Sequence, residues 1–323
     1  MGFINKMNLE EGFAVESICR ALRKLGIKVA ARTYRWWKQA GRPVAERTVS
    51  DALVVDRIRD LVWTTNHRGE RKMAPEGLYG RRKMLALVRS KGLPQASFGA
   101  VDRAMKTLGL SGIRRSKGVR TTIPAKNGVR AGDLLDRDFT ASRPNQKWVM
   151  DFTYCRTWAG WVYVTFITDC FADKIVAWHA ATSMDTELVM VPLKIALWQR
   201  DRDGHPHQPG ELICHSDAAR QFTSIRFTEH LTDQGIQPSI GTVGDAFDNA
   251  LAETINGLFK TECLRTTIFH PGAFKTIADI EYATAEWVEW YNHRRLHSKL
   301  GYISPAEYEA THYATLDREP APV

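Results

Sequence analysis

Lys147–Cys155 reads KWVMDFTYC, and its alternation decides the fold class. Trp148, Met150, Phe152 and Tyr154 fall on one side of an extended chain and Val149, Asp151 and Thr153 on the other. That period of two predicts a strand with an acid in its middle. Downstream, the turn Thr157–Gly160 (TWAG) leads into WVYVTFITDCF, and Lys174–Ala180 (KIVAWHA) supplies a third strand, so an antiparallel meander is predicted. A helix over Thr186–Gln199 follows, then the short strand ELICHSD ending at Asp217, a helix over Ser224–Gln234 and the strand QPSI. Helices over Phe247–Glu262 and Phe274–Asn292 close the pattern. The order β-β-β-α-β-α-β-α predicts an α/β domain.

Three acids stand out by position. Asp151 sits mid-strand, Asp217 ends the fourth strand, where open sheets place their ligands, and Glu253 lies on the helix after the loop Gly241–Gly244. Asn249, Glu253, Asn256 and Lys260 recur at intervals of four, three and four, so they share one helical face. Two Mg²⁺ ions roughly 3.5–4 Å apart can activate an attacking oxygen and stabilise a leaving one in phosphoryl transfer. Mg²⁺ prefers hard oxygen ligands and retains water, so few carboxylates suffice. Asp169, Asp173, Asp245 and Asp248 compete for the same role on sequence alone. His215, two residues before Asp217, falls on the same strand face. His293 and His297 have a zinc-compatible spacing but no third ligand, and with Arg294, Arg295 and Lys299 they read as a basic surface or as packing. Trp287, Trp290 and Tyr291 read as core.

The region before the strands is different in kind. Residues 1–147 hold 31 Lys+Arg against 13 Asp+Glu, a net +18, whereas residues 148–323 hold 14 against 23, a net −9. A basic half joined to an acidic half suggests a polyanion-binding module attached to a gatherer of carboxylates. Phe13–Gln39 reads as helix, turn, helix, with Arg32, Arg35 and Lys38 set among Tyr34, Trp36 and Trp37. A helix over Ser50–Val62, the basic loop His67–Lys72 and a second helical pair, Leu78–Ser90 and Phe98–Leu108, follow. Such pairs have the size of helix-turn-helix units. The expected divisions are 1–65 and 66–115 as two DNA-binding segments, 116–145 as a basic linker, 146–310 as the catalytic core and 311–323 as a tail.

The chain has 323 residues, 44% of them hydrophobic and 25% charged, which is ordinary globular usage and excludes wholesale disorder. Its apolar runs are only strand-length, so no membrane span is expected, and without an apolar h-region or a small-residue cleavage site near Met1, export is not expected. Five cysteines without a CxxC pair argue against disulfides or a zinc module and for a reducing cytoplasm.

The stretches WVMDFTY, ICHSDAARQFTS, GDAFDNALAETINGLFKTE and WYNHRRLHSKLGYISPAEY resemble the insertion-sequence-3 family of transposases, and more broadly the DDE transposase and retroviral-integrase superfamily. The resemblance runs from about Phe13 to Tyr308. It implies an RNase H-like, integrase-type core with a mixed five-stranded sheet, preceded by an all-α DNA-binding region. It also implies that Asp151, Asp217 and Glu253 hold two Mg²⁺ ions, for which Mn²⁺ can substitute, and that the enzyme cleaves 3′ ends and transfers strands by transesterification. Lys260 matches a basic residue that contacts DNA. DNA contacts are further expected at Asn249, Asn256, His215, Arg32, Arg35, Lys38, Arg294 and Arg295. Expected partners are the terminal inverted repeats, target DNA, other copies of the chain in a synaptic complex, and an upstream-frame protein fused by frameshifting. The expected location is the bacterial cytoplasm at the nucleoid. Two rivals remain, a hydrolytic RNase H-like nuclease and a catalytically inactive DNA-binding regulator. One departure from the family pattern is Ala218-Ala219-Arg220, where a glycine is usual, and a left-handed turn there would be strained by alanine.

Overall fold

A computed structural model describes residues 1–39, 44–65, 69–114, 132–241 and 249–316. The chain forms two compact units, with the boundary after Leu53. In the first, α1 (Gly2–Leu9), α2 (Val15–Lys24) and α3 (Ala31–Lys38) enclose Ile4, Val15, Ile18, Cys19 and Tyr34. Gly26, at φ +82°, makes the turn that ends α2. The Tyr34 hydroxyl donates to Asn5 Oδ1 at 2.6 Å.

The unit boundary falls inside α4 (Glu46–Val62), earlier than the expected division at 65/66. The reason is packing: Val54, Ile58 and Val62 are buried in one apolar cluster with α5 (Arg81–Ser90) and α6 (Phe98–Thr107). Between α4 and α5, β1 (Trp63–Thr65) pairs antiparallel with β2 (Arg71–Met73), where the sequence suggested only a basic loop. His67 and Arg68 of that loop lie outside the described residues.

The larger sheet has the order β5-β4-β3-β6-β7. Its strands are β3 (Lys147–Thr157), β4 (Gly160–Asp169), β5 (Lys174–Ala181), β6 (Ile213–Ser216) and β7 (Gln237–Ile240). The first three form the antiparallel meander. β6 and β7 add in parallel, which gives the mixed five-stranded sheet expected. One face packs on α7 (Glu187–Arg202) and α8 (Ile225–Asp233) through Trp148, Met150, Leu193, Phe227 and their neighbours. On the other lie α9 (Ala250–Leu258), a π-helical turn over Phe259–Leu264 and α10 (Ile277–His293). Trp287, Trp290 and Tyr291 of α10 are buried in the same apolar cluster as α4–α6.

Two expectations about connections are corrected. Residues 132–145, read as the end of a linker, are packed on the sheet. Leu135 is buried against Val149, Cys170 and Ala252, Leu134 N donates to Ser239 Oγ at 2.8 Å, and Ile240 N donates to Gly132 O at 3.1 Å. The rest of that linker, 116–131, lies outside the described residues. The tail read over 311–323 starts instead as part of α11 (Pro305–Leu316). Its Glu309 accepts a bond from Arg200 Nη1 at 2.5 Å in the interior, a partnership across 109 positions that local pattern cannot reveal. No helix among the described residues is long and apolar enough to cross a membrane. All five cysteines are buried and free.

Candidate functional site

The parallel pairing of β3 with β6 aligns Val149 with His215 and Met150 with Ser216. One residue further along come Asp151, in the middle of β3, and Asp217, just past the end of β6, on neighbouring strands about 4.8 Å apart. α9 is latched over this point by two asparagines. Asn249 Nδ2 donates to Met150 O at 2.9 Å, and Asn256 Nδ2 donates to Asp151 Oδ2 at 2.9 Å. Glu253 lies between them on the helix, four residues after the first and three before the second, so it shares their face.

The electrostatics follow from this crowding. Burial, then the charge of Asp217 and more weakly that of Glu253, push the Asp151 carboxyl up to about 7, against bonds donated by Phe152 N and Asn256. Burial also raises Asp217, opposed by a bond from Ala219 N and by His215. Among the described residues no three His, Cys, Asp or Glu side chains stand close enough to enclose a metal ion. The carboxylates therefore sense one another without forming a closed ligand shell. The set nevertheless suits Mg²⁺: its donors are hard oxygens, their mutual repulsion favours a cation among them, and an ion that keeps its water needs no closed cage.

The competing acids have other partners. Asp169 is buried and accepts from Arg200 Nη2 at 3.0 Å, Asn145 N at 2.8 Å and Trp148 Nε1 at 3.2 Å. Asp173 pairs with Lys299 at 2.7 Å. Asp245 and Asp248, with most of the loop Gly241–Gly244, lie outside the described residues. The turn after Asp217 is unstrained. Positive φ outside glycine occurs, among the described residues, at Asp136, Arg137, Asn145, Asp173 and Tyr302, so Ala218 and Ala219 sit in ordinary backbone.

Several residues expected at DNA are placed elsewhere. His215 is fully buried, with Nδ1 2.8 Å from Ser239 Oγ and 3.7 Å from Asp133 Oδ1, so it braces the strand ends behind Asp217. Asn249 and Asn256 are buried and turned to β3, which suits them to positioning the carboxylates. Arg295 is buried and donates from Nε and Nη2 to Glu262, between Trp290 and Tyr291. His297 is also buried, and burial with the charges of Arg295 and Lys83 lowers it to about 2, so it stays neutral packing. Arg294 is exposed, 3.9 Å from Glu76. Lys260 is half-buried, its ammonium 4.7 Å from the centre of the Tyr154 ring. In the first unit Arg32, Arg35, Trp36 and Lys38 are exposed along α3, with Arg35 paired to Glu16 and Lys38 5.8 Å over the Tyr34 ring.

Two family models, both described as an integrase core domain, match residues 141–246 and 234–305. A protein of insertion sequence element IS986/IS6110 in Mycobacterium tuberculosis is 45% identical over 246 residues, covering 76% of this chain and 86% of its own. The transposase for insertion sequence element IS629 of Shigella sonnei is 43% identical, covering 75% of this chain and 77% of its own. Transposase InsF for insertion sequence IS3A of Escherichia coli is 27% identical over 95% of this chain and 97% of its own. Among solved structures, the HTLV-2 integrase catalytic core domain in complex with magnesium aligns at 17% identity and a TM-score of 0.39, covering 52% of this chain and 98% of that one. With its integrase-type α/β core and relatives of this identity, the chain belongs to the insertion-sequence-3 family of transposases, within the DDE transposase and integrase superfamily.

Proposed function

We propose that this transposase cleaves the 3′ ends of an insertion sequence and joins them to DNA by direct transesterification at Asp151, Asp217 and Glu253. The observation that carries the reading is the β3–β6 register, which sets Asp151 beside Asp217 under a helix whose asparagines fix it over the same point. Asp151, Asp217 and Glu253 would hold Mg²⁺, with Mn²⁺ as a substitute, and the bound ions would supply positive charge toward an attacking and a leaving oxygen.

The chain's own residues do the rest. Asn256 holds Asp151 Oδ2 in one orientation, and Lys260, in the π-helical turn that continues the Glu253 helix, would contact a phosphate of the bound end. In the joining step the 3′-hydroxyl of the cleaved end gives up its proton to solvent and its oxygen bonds to phosphorus as the target's P–O3′ bond breaks, and the released oxygen takes up a proton. α3 in the first unit, with Arg32, Arg35 and Lys38, and the pair α5–α6 in the second are suited to hold the terminal repeats and flanking duplex through phosphate contacts. Two ends must be brought together, which calls for more than one copy of the chain, and a fusion with an upstream-frame protein is a further form in which it would act. The nucleoid is where this substrate lies.

The test is strand joining by the purified protein on a labelled, pre-cleaved end bearing a free 3′-OH, with Mg²⁺ or Mn²⁺ and with EDTA as control. Joined product that needs the metal and disappears in Glu253→Gln supports the reading. Short hydrolysis products without joining would establish the nuclease, and end binding without chemistry, in both the chain and its upstream fusion, the inactive regulator.

A further inference from the structure

The β3–β4 hairpin carries three large aromatic side chains in water. Tyr154 is 58% exposed, Trp158 75% and Trp161 48%. Each has a cation over or beside its ring: Lys260 4.7 Å from the Tyr154 centroid, Lys275 5.5 Å from Trp158 and Arg156 5.7 Å from Trp161. Tyr154 and Trp161 meet edge to face at 5.4 Å.

The hairpin tip is also tied down. Trp158 N donates to Phe274 O at 3.1 Å and Ala159 N to Lys275 O at 2.9 Å. Thr157 Oγ1 donates to Gly160 O at 2.8 Å, and Gly160 takes φ +128° to close the turn. The rings are thus presented on a backbone already ordered, which lowers the entropy lost when something binds them.

The chemistry of the patch selects its occupant. Grouped exposed aromatic rings mark an interaction site more than single ones do, and the interleaved cations favour a polyanion. Base faces are hidden inside a duplex and open where strands are unpaired, and there aromatic rings stack on them while basic groups follow the phosphates. A second copy docking symmetrically would set these same cations against one another. The position agrees. Tyr154 is three residues beyond Asp151 on β3, about 10 Å along the strand. Alternation turns its Cβ to the other strand face, but its ring meets the ammonium of Lys260, which belongs to the π-helical turn continuing the Glu253 helix on the Asp151 side. We propose that Tyr154, Trp158 and Trp161, with Arg156, Lys260 and Lys275, form a stacking platform for unpaired nucleotides of the DNA processed at the carboxylates. This rests on the transposase reading above.

The experiment uses the full chain in EDTA, so that binding is read without chemistry. Duplexes carrying an unpaired 3′ or 5′ oligothymidine tail with one 2-aminopurine report affinity and stacking, and a blunt duplex is the control. Wild-type protein should quench the probe, and Trp158→Ala with Trp161→Ala should weaken tailed-DNA binding on the order of tenfold. Blunt binding should stay within about twofold, and Trp→Phe at both positions should restore the tailed affinity, because a phenyl ring still stacks. The tail polarity that loses more identifies which strand is held. Wild-type tailed binding in the alanine variant would overturn the proposal, as would equal loss on blunt DNA. A change in oligomeric state with DNA binding intact would also overturn it, assigning the surface to a second copy. Absence of joining by wild-type protein with the stacking signal intact would count against the transposase reading alone.

Discussion

Two groups of acids in this molecule lie at the sheet and have opposite surroundings. Asp169 and Glu309 share Arg200 in the interior, with Lys174 3.0 Å from Glu309. Burial works to raise Glu309, but the bonds and charge of Arg200 and Lys174 outweigh it and hold the carboxyl low. Asp151 is half-buried, yet it accepts from a backbone amide and an asparagine, and the charges acting on it are those of Asp217 and Glu253. Burial raises a carboxyl wherever it occurs, and what separates the groups is the source of countercharge. The first carries its own and joins α7, β4 and α11. The second gathers negative charge beside the sheet, the arrangement on which the proposed Mg²⁺ site rests.

That contrast can be broken from either side. The largest effect on folding is expected from Arg200→Met, which leaves Asp169 and Glu309 buried without their partner and should cost about 3–5 kcal/mol. Chemical denaturation would measure it, and joining per folded molecule should survive. Equal stability in this variant would mean that the two groups do not differ as described. Asp151→Asn should do the reverse, abolishing joining while leaving the thermal midpoint unchanged or higher, because a source of repulsion is removed. Asn256→Ala should lower joining by about 10–100-fold, the usual scale for a residue that orients a ligand, with end binding retained. A comparable loss of end binding would return Asn256 to the DNA contacts. The smallest effect concerns the turn after Asp217. Since no positive φ is needed there, Ala219→Gly should not improve joining and should cost about 0.4–1 kcal/mol through unfolded-chain entropy.

Much of the architecture was legible because it is written locally. Alternation in Lys147–Cys155 located β3, turn residues delimited the meander, and helical spacing found α7 to α10. The parts that were not legible depend on partners far along the chain. Residues 311–316 read as the start of a tail, yet they continue α11, which Arg200 anchors at Glu309. HRRLH looks like a basic surface, yet Arg295 finds Glu262 across 33 positions and turns inward, while its neighbour Arg294 stays exposed. The polar stripe on α9 was visible, but whether asparagines face DNA or strand is set by the depth at which the helix docks. The exposed aromatics of the hairpin are indistinguishable in sequence from the buried ones beside them, since Trp148 and Trp161 both sit in strands.

The sharing of one apolar cluster by α4–α6 and α10 has a mechanical meaning. The Tyr79 hydroxyl donates to Arg294 O at 3.2 Å and accepts from Leu296 N at 2.9 Å, and Trp290 Nε1 donates to Glu76 Oε1 at 3.3 Å. A strain applied to α5 and α6 is therefore delivered to the helix layer under the catalytic sheet with little slack, as through a short stiff lever. The same bolting removes a freedom that modular enzymes enjoy. These helices cannot be traded for another set by cutting at a hinge, so their outer face can change only one side chain at a time.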